Sequence, residues 1–347
     1  MTETNEDLYK TSQGYSAEEI QKMRKYETLE GFPEIRGYDF DQPFDFDKFI
    51  DSFKSAGIQG TNLALAIDIT NQMIKDQAFI FLSATSSMVS SGNRDIIRFL
   101  VKHKMVHALA ISAGGIEEDI MKSLRPFVIG TFDIPGRTLL DKGVGRIGNI
   151  FAPFDRYLYF EKFTDPFFDT FHEKQKEHGR PFTPSELINA LGREMETLEK
   201  ERREESIVYW AYKNDIPIFC PALTDGTIGN FLYAERVKHG DVYLDIVGDQ
   251  KKIIDLVLSC EKTGAIILGG GVSKHYILNA NIYRDGLDYA VYITTAQEYD
   301  ASDSGGNPQE AMTWAKLKVN APNVKVRAEA TLVFPLLVAA TFGKIKK

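Results

Sequence analysis

The sequence predicts an α/β fold in which a mostly parallel sheet is covered by helices on both faces. Three observations predict it. Six short apolar runs recur along the chain, at residues 78–82, 106–111, 216–220, 265–268, 289–294 and 324–328. The run at 265–268 is apolar throughout rather than alternating, as in a strand buried on both faces. Each leads into a loop of Gly, Ser, Thr or Asp and then into a helical segment, the repetition expected of βαβ units.

Taken in order, residues 1–40 read as an N-terminal arm. Ser16 and Glu19 have capping-box spacing ahead of IQKMRKYETL, so one short helix is expected there, and Pro33 and Gly37 then break the chain. Residues 41–347 read as a single α/β domain, with helices at 46–55 and 61–76 before the first strand. The strand at 78–82 is followed by a hydroxyl-rich loop, 85–91, and the helix 96–104. The strand at 106–111 is followed by SAGGIEED and the helix 120–124, and the strand at 216–220 by PALTDGTIGN and another helix. The run at 265–268 meets Gly269, Gly270 and Gly271, which clear side chains from the turn so that a ligand can come close to the backbone. The helix after them opens with Lys274 and His275. A polar loop, 295–304, follows the fifth strand and delivers Glu310 and Trp314 on one helix face, with Lys316 on the last turn or just past it. The last strand leads to the helix 332–342. Residues 160–205 read as a helical insertion, and the mixed charges of EMETLEKERREES read as a solvated helix with i,i+4 pairs.

The totals narrow the function. The chain has 347 residues, 43% of them apolar and 26% charged, which is soluble-globular composition. A net charge of −8 argues against nucleic acid and suits a cationic substrate or a basic protein partner. Cys220 and Cys260 alone make neither a disulfide framework nor a metal site, so a reducing compartment and no metal are expected. The N-terminus, MTETNEDLYK, has no apolar signal core, and no run is long enough to span a membrane, so a cytoplasmic protein is expected.

In open parallel sheets ligands bind where strand C-termini meet helix N-termini, and every polar motif here falls at that edge. The hydroxyls of 85–91 suit a pyrophosphate at a helix start, or equally ordinary capping. Glu117 and Glu118, read as opening the helix after the second strand, suit the helix dipole, or equally a chain of ammonium groups. Asp225 is at home in a turn or on a ligand. His275 alone could be a core or capping histidine. Lys316 alone would be a solvated charge, but Trp314 and Leu317 flank it, and desolvation there would lower its pKa and supply free amine. Neither candidate loop is a GxGxxG fingerprint.

The sequence resembles the deoxyhypusine synthase family. The likeness is carried by LGGGVSKH at 268–275, NAN at 279–281, TAQEYDASDSG at 295–305, the lysine of TWAK at 313–316 and VKVRAEATLVFPLLVA at 324–339, with upstream blocks extending it over most of 35–342. The resemblance implies a Rossmann-like fold and NAD as a transient hydride carrier. It implies transfer of the aminobutyl group of spermidine to one lysine of the translation factor eIF5A, or of its archaeal counterpart aIF5A. It implies a homotetramer with active sites between paired subunits, and an N-terminal helix able to cover the active-site entrance.

By the same resemblance, NAD contacts fall on Ser86, Ser87, Met88, Val89 and Ser90, on Ser112, Ala113 and Gly114, and on Glu118, Asp225, Gly270, Thr295, Glu329 and Ala330. Ser87 stands for the usual asparagine, Ser112 for threonine, and Glu329 for aspartate. Polyamine contacts fall on Glu117, Glu118, Asn230, His275, Asn279, Ala301, Ser302, Asp303, Glu310, Trp314 and Lys316. Ala301 stands for the usual glycine and Asn230 for an aspartate. Asparagine keeps an acceptor oxygen but loses the charge, and a charge-assisted hydrogen bond is roughly twice as strong as a neutral one. Lys316 is the implied nucleophile, forming an imine with the oxidised substrate, and His275 the implied proton acceptor. Two other readings stay open: aminobutyl transfer to putrescine, as in homospermidine synthesis, and a non-catalytic regulatory paralogue.

Overall fold

The structure is a computed structural model and describes residues 31–345. The expected helix around Ser16 and Glu19 lies outside the described residues. The chain divides at Arg36: in the first unit the described residues hold an Arg36–Glu34 ion pair, and the second, Gly37–Lys347, carries everything below.

Nine strands fall among the described residues: β1 (Phe79–Ala84), β2 (Ala108–Ile111), β3 (Val128–Ile129), β4 (Val144–Ile147), β5 (Ile150–Pro153), β6 (Ile218–Phe219), β7 (Thr263–Leu268), β8 (Tyr289–Thr294) and β9 (Asn323–Arg327). Six form one sheet in the order β6-β2-β1-β7-β8-β9, parallel throughout. These are the six apolar runs. Their side chains alternate between two cores. Ile80, Leu82 and Ala84 of β1 face one core, with Leu109, Ile266, Val291 and Val324, beneath the helices Ile58–Lys75, Asn93–Lys102 and Ala330–Ala340. Phe81 faces the other, with Ala265, Ala290 and Tyr292, against the helices Ile246–Ser259 and Gly271–Asn281. Burial on both faces is why β7 and β8 read as continuous apolar runs.

The chain leaves β1 toward β2 and β6, then returns to β7 on the other side of β1. The loops after β1 and β7 therefore part at that point, which is where open parallel sheets bind ligands. Thr85 and Gly269 meet there: a Cβ on Gly269 would lie 3.0 Å from the Thr85 methyl, and its φ of +89° favours glycine.

Three expectations need correction. Residues 85–91 are not an open loop; Ser86–Ser90 is a short helix that buries Met88 and Val89. Glu117 and Glu118 do not open a helix. The helix runs Ala113–Leu124, placing both in its second turn, where the dipole does not explain them. EMETLEKERREES is not one helix: Pro184–Glu194 ends inside it, and the 3₁₀ turn Met195–Thr197 and the short helix Lys200–Arg203 follow. Among the described residues, the 160–205 region otherwise joins the main core through Phe160, Phe167, Phe168, Phe171 and Leu187.

A small antiparallel sheet, β3-β5-β4, was not foreseen. Its strands have two to four residues and are mostly part-exposed, so they carry no apolar run. The legible sign was Gly148–Asn149, the two-residue link between paired Ile147 and Ile150, with Gly148 at φ +59°.

Candidate functional site

β7 ends at Leu268 and its glycines make the first wall. Gly269 N–H donates to Ile293 O at 2.9 Å. A Cβ on Gly270 would lie 2.7 Å from Ser304 Cα, so the close approach permitted there is to the chain itself. The helix Gly271–Asn281 then presents Lys274 and His275.

The segment after β8 makes the second wall. It passes through the 3₁₀ turn Glu298–Asp300 and the short helix Ala301–Ser304 to the helix Pro308–Thr313. Asn307 caps that last helix by accepting from Glu310 N–H, and Pro308 sits in its first turn. Trp314 is the C-cap, and Ala315, at φ +55°, turns the chain back. Lys316 N–H donates to Ala311 O at 3.0 Å, and Leu317 bridges to Leu287, so the backbone of the lysine is fixed on both sides.

Lys316 is 7% exposed, and its Nζ lies 2.8 Å from His275 Nε2. Burial lowers its pKa from the ordinary lysine value, against the pull of Asp303 and Glu310. Burial also lowers the pKa of His275, and the Lys316 charge lowers it further. His275 Nδ1 lies 3.1 Å from Asn279 Nδ2 and 3.7 Å from Asp303. Glu310 accepts from Ser302 Oγ. Trp314 is mostly exposed, with Lys316 Nζ 5.8 Å from its ring centroid. His275, Ser302, Glu310, Trp314 and Lys316 line one cleft with Leu278 and Tyr292.

Sequence reasoning missed what lies beneath the cleft. Lys274 is buried and donates to Ser302 O at 2.9 Å and Gly306 O at 3.2 Å, with Nζ 5.2 Å from the Tyr292 ring centroid. Burial lowers its pKa to about 8. Lys325, buried in mid-strand, donates to Gly305 O at 2.6 Å. Two cations thus hold the loop that carries Ser302 and Asp303. Ala301 has φ +56° and ψ −169°, a region almost reserved for glycine, so the loop is strained where they hold it. A lysine inside a strand buried on both faces was the signal that could have found Lys325.

A second group of candidates gathers over β1 and β2. Ser87 is exposed, with Oγ 3.1 Å from Thr85 Oγ1. Ser90 Oγ donates to Glu118, whose pKa burial raises to about 7. Lys122 closes the far end of Ser86–Ser90 by donating to Val89 O, Ser90 O and Ser91 O at 2.8, 3.0 and 2.9 Å. Ser112 Oγ is buried without a partner, and Gly114 packs on Ser86. Glu117 is buried and accepts from Ile228 N–H at 2.6 Å. Asp225 lies exposed in the turn before the helix Thr227–His239, and Asn230 exposed within it. Thr295 is exposed just past β8, and Glu329 is the N-cap of Ala330–Ala340 with Thr331 Oγ1 donating to it.

The charge of Lys316 acts most on His275, followed by Asp303, Lys274 and Glu310; Asp303 and Glu310 act on Lys316, Asp225 on Glu117, and Lys122 and Glu117 on Glu118. The sheet edge offers four helix starts, at Ser86, Ala113, Gly271 and Ala330, and the unpartnered Ser112 hydroxyl, which fit an extended phosphate-bearing cofactor. A cavity of about 830 Å³ lies instead against the β6 edge, and none of the candidate residues lines it. Among the described residues no cluster of His, Cys, Asp or Glu could hold a metal ion, and no helix is long and apolar enough to cross a membrane.

Comparison with known proteins places these residues in context. The family model for deoxyhypusine synthase matches residues 48–341. A deoxyhypusine synthase of Musa acuminata is 45% identical over 339 residues, covering 90% of this chain and 89% of its own. One of Arabidopsis thaliana is 43% identical over 349 residues, covering 92% and 93%. The crystal structure of an Entamoeba histolytica protein assigned to the same activity superposes with a TM-score of 0.60 at 32% identity, covering 90% of this chain and 98% of its own.

Proposed function

This chain belongs to the deoxyhypusine synthase family, and from that premise we propose that it moves the aminobutyl group of spermidine to a lysine of the eIF5A or aIF5A precursor, with NAD as cofactor. It is a transferase of hypusine biosynthesis. The observation that carries the finer reading is the buried Lys316 amine, 2.8 Å from His275 Nε2.

NAD, when bound, would supply a hydride acceptor, and later a hydride donor, for the spermidine carbon beside the secondary nitrogen. Ser86, Ser112, Gly114, Glu118, Asp225, Gly270, Thr295 and Glu329 are the residues that would hold it. Asp303, Glu310 and Glu118 supply carboxylates for the ammonium groups, and the Trp314 face suits an ammonium or the methylenes between them. His275, kept neutral by burial, accepts a proton from Lys316 or from the substrate nitrogen. Lys316, as free amine, bonds to the electrophilic carbon while the bond to the departing 1,3-diaminopropane breaks, its nitrogen taking the electron pair and a proton. The acceptor lysine then displaces Lys316 from the same carbon. Imines hydrolyse in water, so the chemistry needs a dry channel.

A homotetramer in which paired copies complete each site is part of the same proposal. The unbridged thiols of Cys220 and Cys260 suit the cytoplasm. Incubation with spermidine, NAD and the precursor factor, read by intact mass, tests the proposal: one aminobutyl group should appear on the factor. No gain on the factor, with homospermidine formed when putrescine is added, would overturn it.

A further inference from the structure

One face of the helix Ala113–Leu124 holds the segment that follows β1. Residues 114, 118 and 122 are four apart and share that face. Gly114 and Gly115 let the chain close at one end: a Cβ on Gly114 would lie 3.3 Å from Ser86 Cβ, and one on Gly115 3.4 Å from Ser86 Cα. One turn on, Glu118 accepts from Ser90 Oγ. A further turn on, Lys122 donates to Val89 O, Ser90 O and Ser91 O at 2.8, 3.0 and 2.9 Å. An ammonium has three donors, and here all three are spent on backbone carbonyls. Those carbonyls close the C-terminal end of the helix Ser86–Ser90, where acceptors are otherwise orphaned and a positive charge is favoured. Ser90 is thus gripped at two atoms by two residues one turn apart.

Lys122 has no donor left for a ligand, yet it holds two groups that the proposed function puts to use. We propose that Lys122 is a positioning residue: it anchors the far end of Ser86–Ser90, the segment assigned to the cofactor, and sets a positive charge one turn from Glu118, the carboxylate assigned to cofactor and polyamine. The identity of those ligands rests on the function proposed above; the anchoring does not. Glu118 faces Lys122 and Glu117 on its own helix and the Tyr157 hydroxyl of the helix Asp155–Phe168. Lys122 faces Glu118 and Asp119 on its own helix, and Arg94 and Asp95 of the helix Asn93–Lys102. In that setting the Lys122 charge lowers a Glu118 pKa that burial raises, while Glu117 raises it.

Lys122→Met and Lys122→Arg in the full-length protein separate the two tasks. Methionine keeps the unbranched chain but removes donors and charge together. Arginine keeps the charge, but its planar fork does not match three converging carbonyls. In the methionine variant, amide hydrogen exchange over residues 86–92 should quicken about tenfold, and Kd for NAD, read by calorimetry, should rise about tenfold. In the arginine variant both should rise about threefold. The inflection that Glu118 sets near pH 7 in a profile of KM for spermidine should move up by about one unit with methionine and stay in place with arginine. A lower Tm with exchange, Kd and inflection all unchanged would make Lys122 a purely structural residue and overturn the inference. So would an inflection that shifts equally in both variants, because charge would then not be what Lys122 supplies. Should the methionine variant not fold, the arginine variant decides: a raised Kd with the inflection in place supports the inference, and an unaltered Kd or a shifted inflection overturns it. If the unaltered protein neither binds NAD nor turns over spermidine, the functional reading fails, yet exchange still decides whether Lys122 anchors the segment.

Discussion

Lys274→Met removes the cation beneath the 301–306 loop, and the structure allows its two effects to be weighed separately. Lys274 is 3% exposed. Its pKa falls from 10.5 to about 8, so at neutral pH the folded state carries about 3 kcal/mol of penalty for keeping it charged. Methionine, of similar length and unbranched, removes that penalty. Against this, two carbonyls lose a donor. Ser302 is exposed and water can replace the ammonium there, whereas Gly306 is buried and its carbonyl is left unpaired, costing about 1–3 kcal/mol. The terms nearly cancel, so Tm at pH 7 should move by no more than about 4 °C. Activity should not be spared. With the loop untied, Ser302 and Asp303 lose their places beside Glu310 and His275, and misplacement by about 1 Å typically lowers rates about 100-fold. The pH dependence adds a check. Because the folded-state pKa is the lower one, the unfolded chain binds more protons between about pH 8 and 10.5, and this group's contribution to stability rises with pH through that window. The methionine variant lacks that rise, so its Tm relative to the parent should fall from pH 7 to pH 9.5. Thermal melts at both pH values, with kcat/KM for spermidine, measure everything needed. A large loss of Tm with kcat/KM unchanged would refute the reasoning, because the lysine would then serve the fold and not the loop.

Further outcomes follow from the same geometry. Lys316→Arg keeps the charge but supplies no free amine, so transfer to the factor should fall by about 10³ or more, while spermidine-dependent reduction of NAD, followed at the nicotinamide absorbance, persists. Asn230→Asp restores a charge at an exposed position of the helix Thr227–His239 and should lower KM for spermidine about tenfold. Glu118, titrating near 7, is neutral below that pH, so KM for spermidine should rise as the pH falls through 7, and Glu118→Gln should abolish the inflection in a pH–KM profile. Its raised pKa also means that the folded state binds more protons than the unfolded between about 4.5 and 7, so stability from this group declines as pH rises across that range, and melting of the glutamine variant at pH 8 should show the recovered difference.

What the sequence disclosed follows from burial. β7 and β8 are buried at every residue, and such strands announce themselves as apolar runs. β3, β4 and β5 are short and part-exposed, and only the Gly148–Asn149 link could have given them away. The residues around the candidate amine were legible as motifs, but their relations were not. That Lys316 meets His275 depends on the turn at Ala315, a positive φ that no local propensity predicts for alanine. Lys274 read as a helix opener and Lys325 as a strand residue; their shared task under one loop is a tertiary fact. Glu117 and Glu118 read as a dipole pair because the helix start was placed too late, and the structure separates them into one carboxylate facing Ile228 and another facing Ser90.

The most direct test of the account is to trap the covalent species. The protein is incubated with spermidine and NAD in the absence of the factor, reduced with cyanoborohydride, digested and mapped by mass. The account predicts a single reduced aminobutyl group, on the peptide carrying Lys316. An adduct on Lys274 or any other lysine, or none while added factor is still modified, would contradict it.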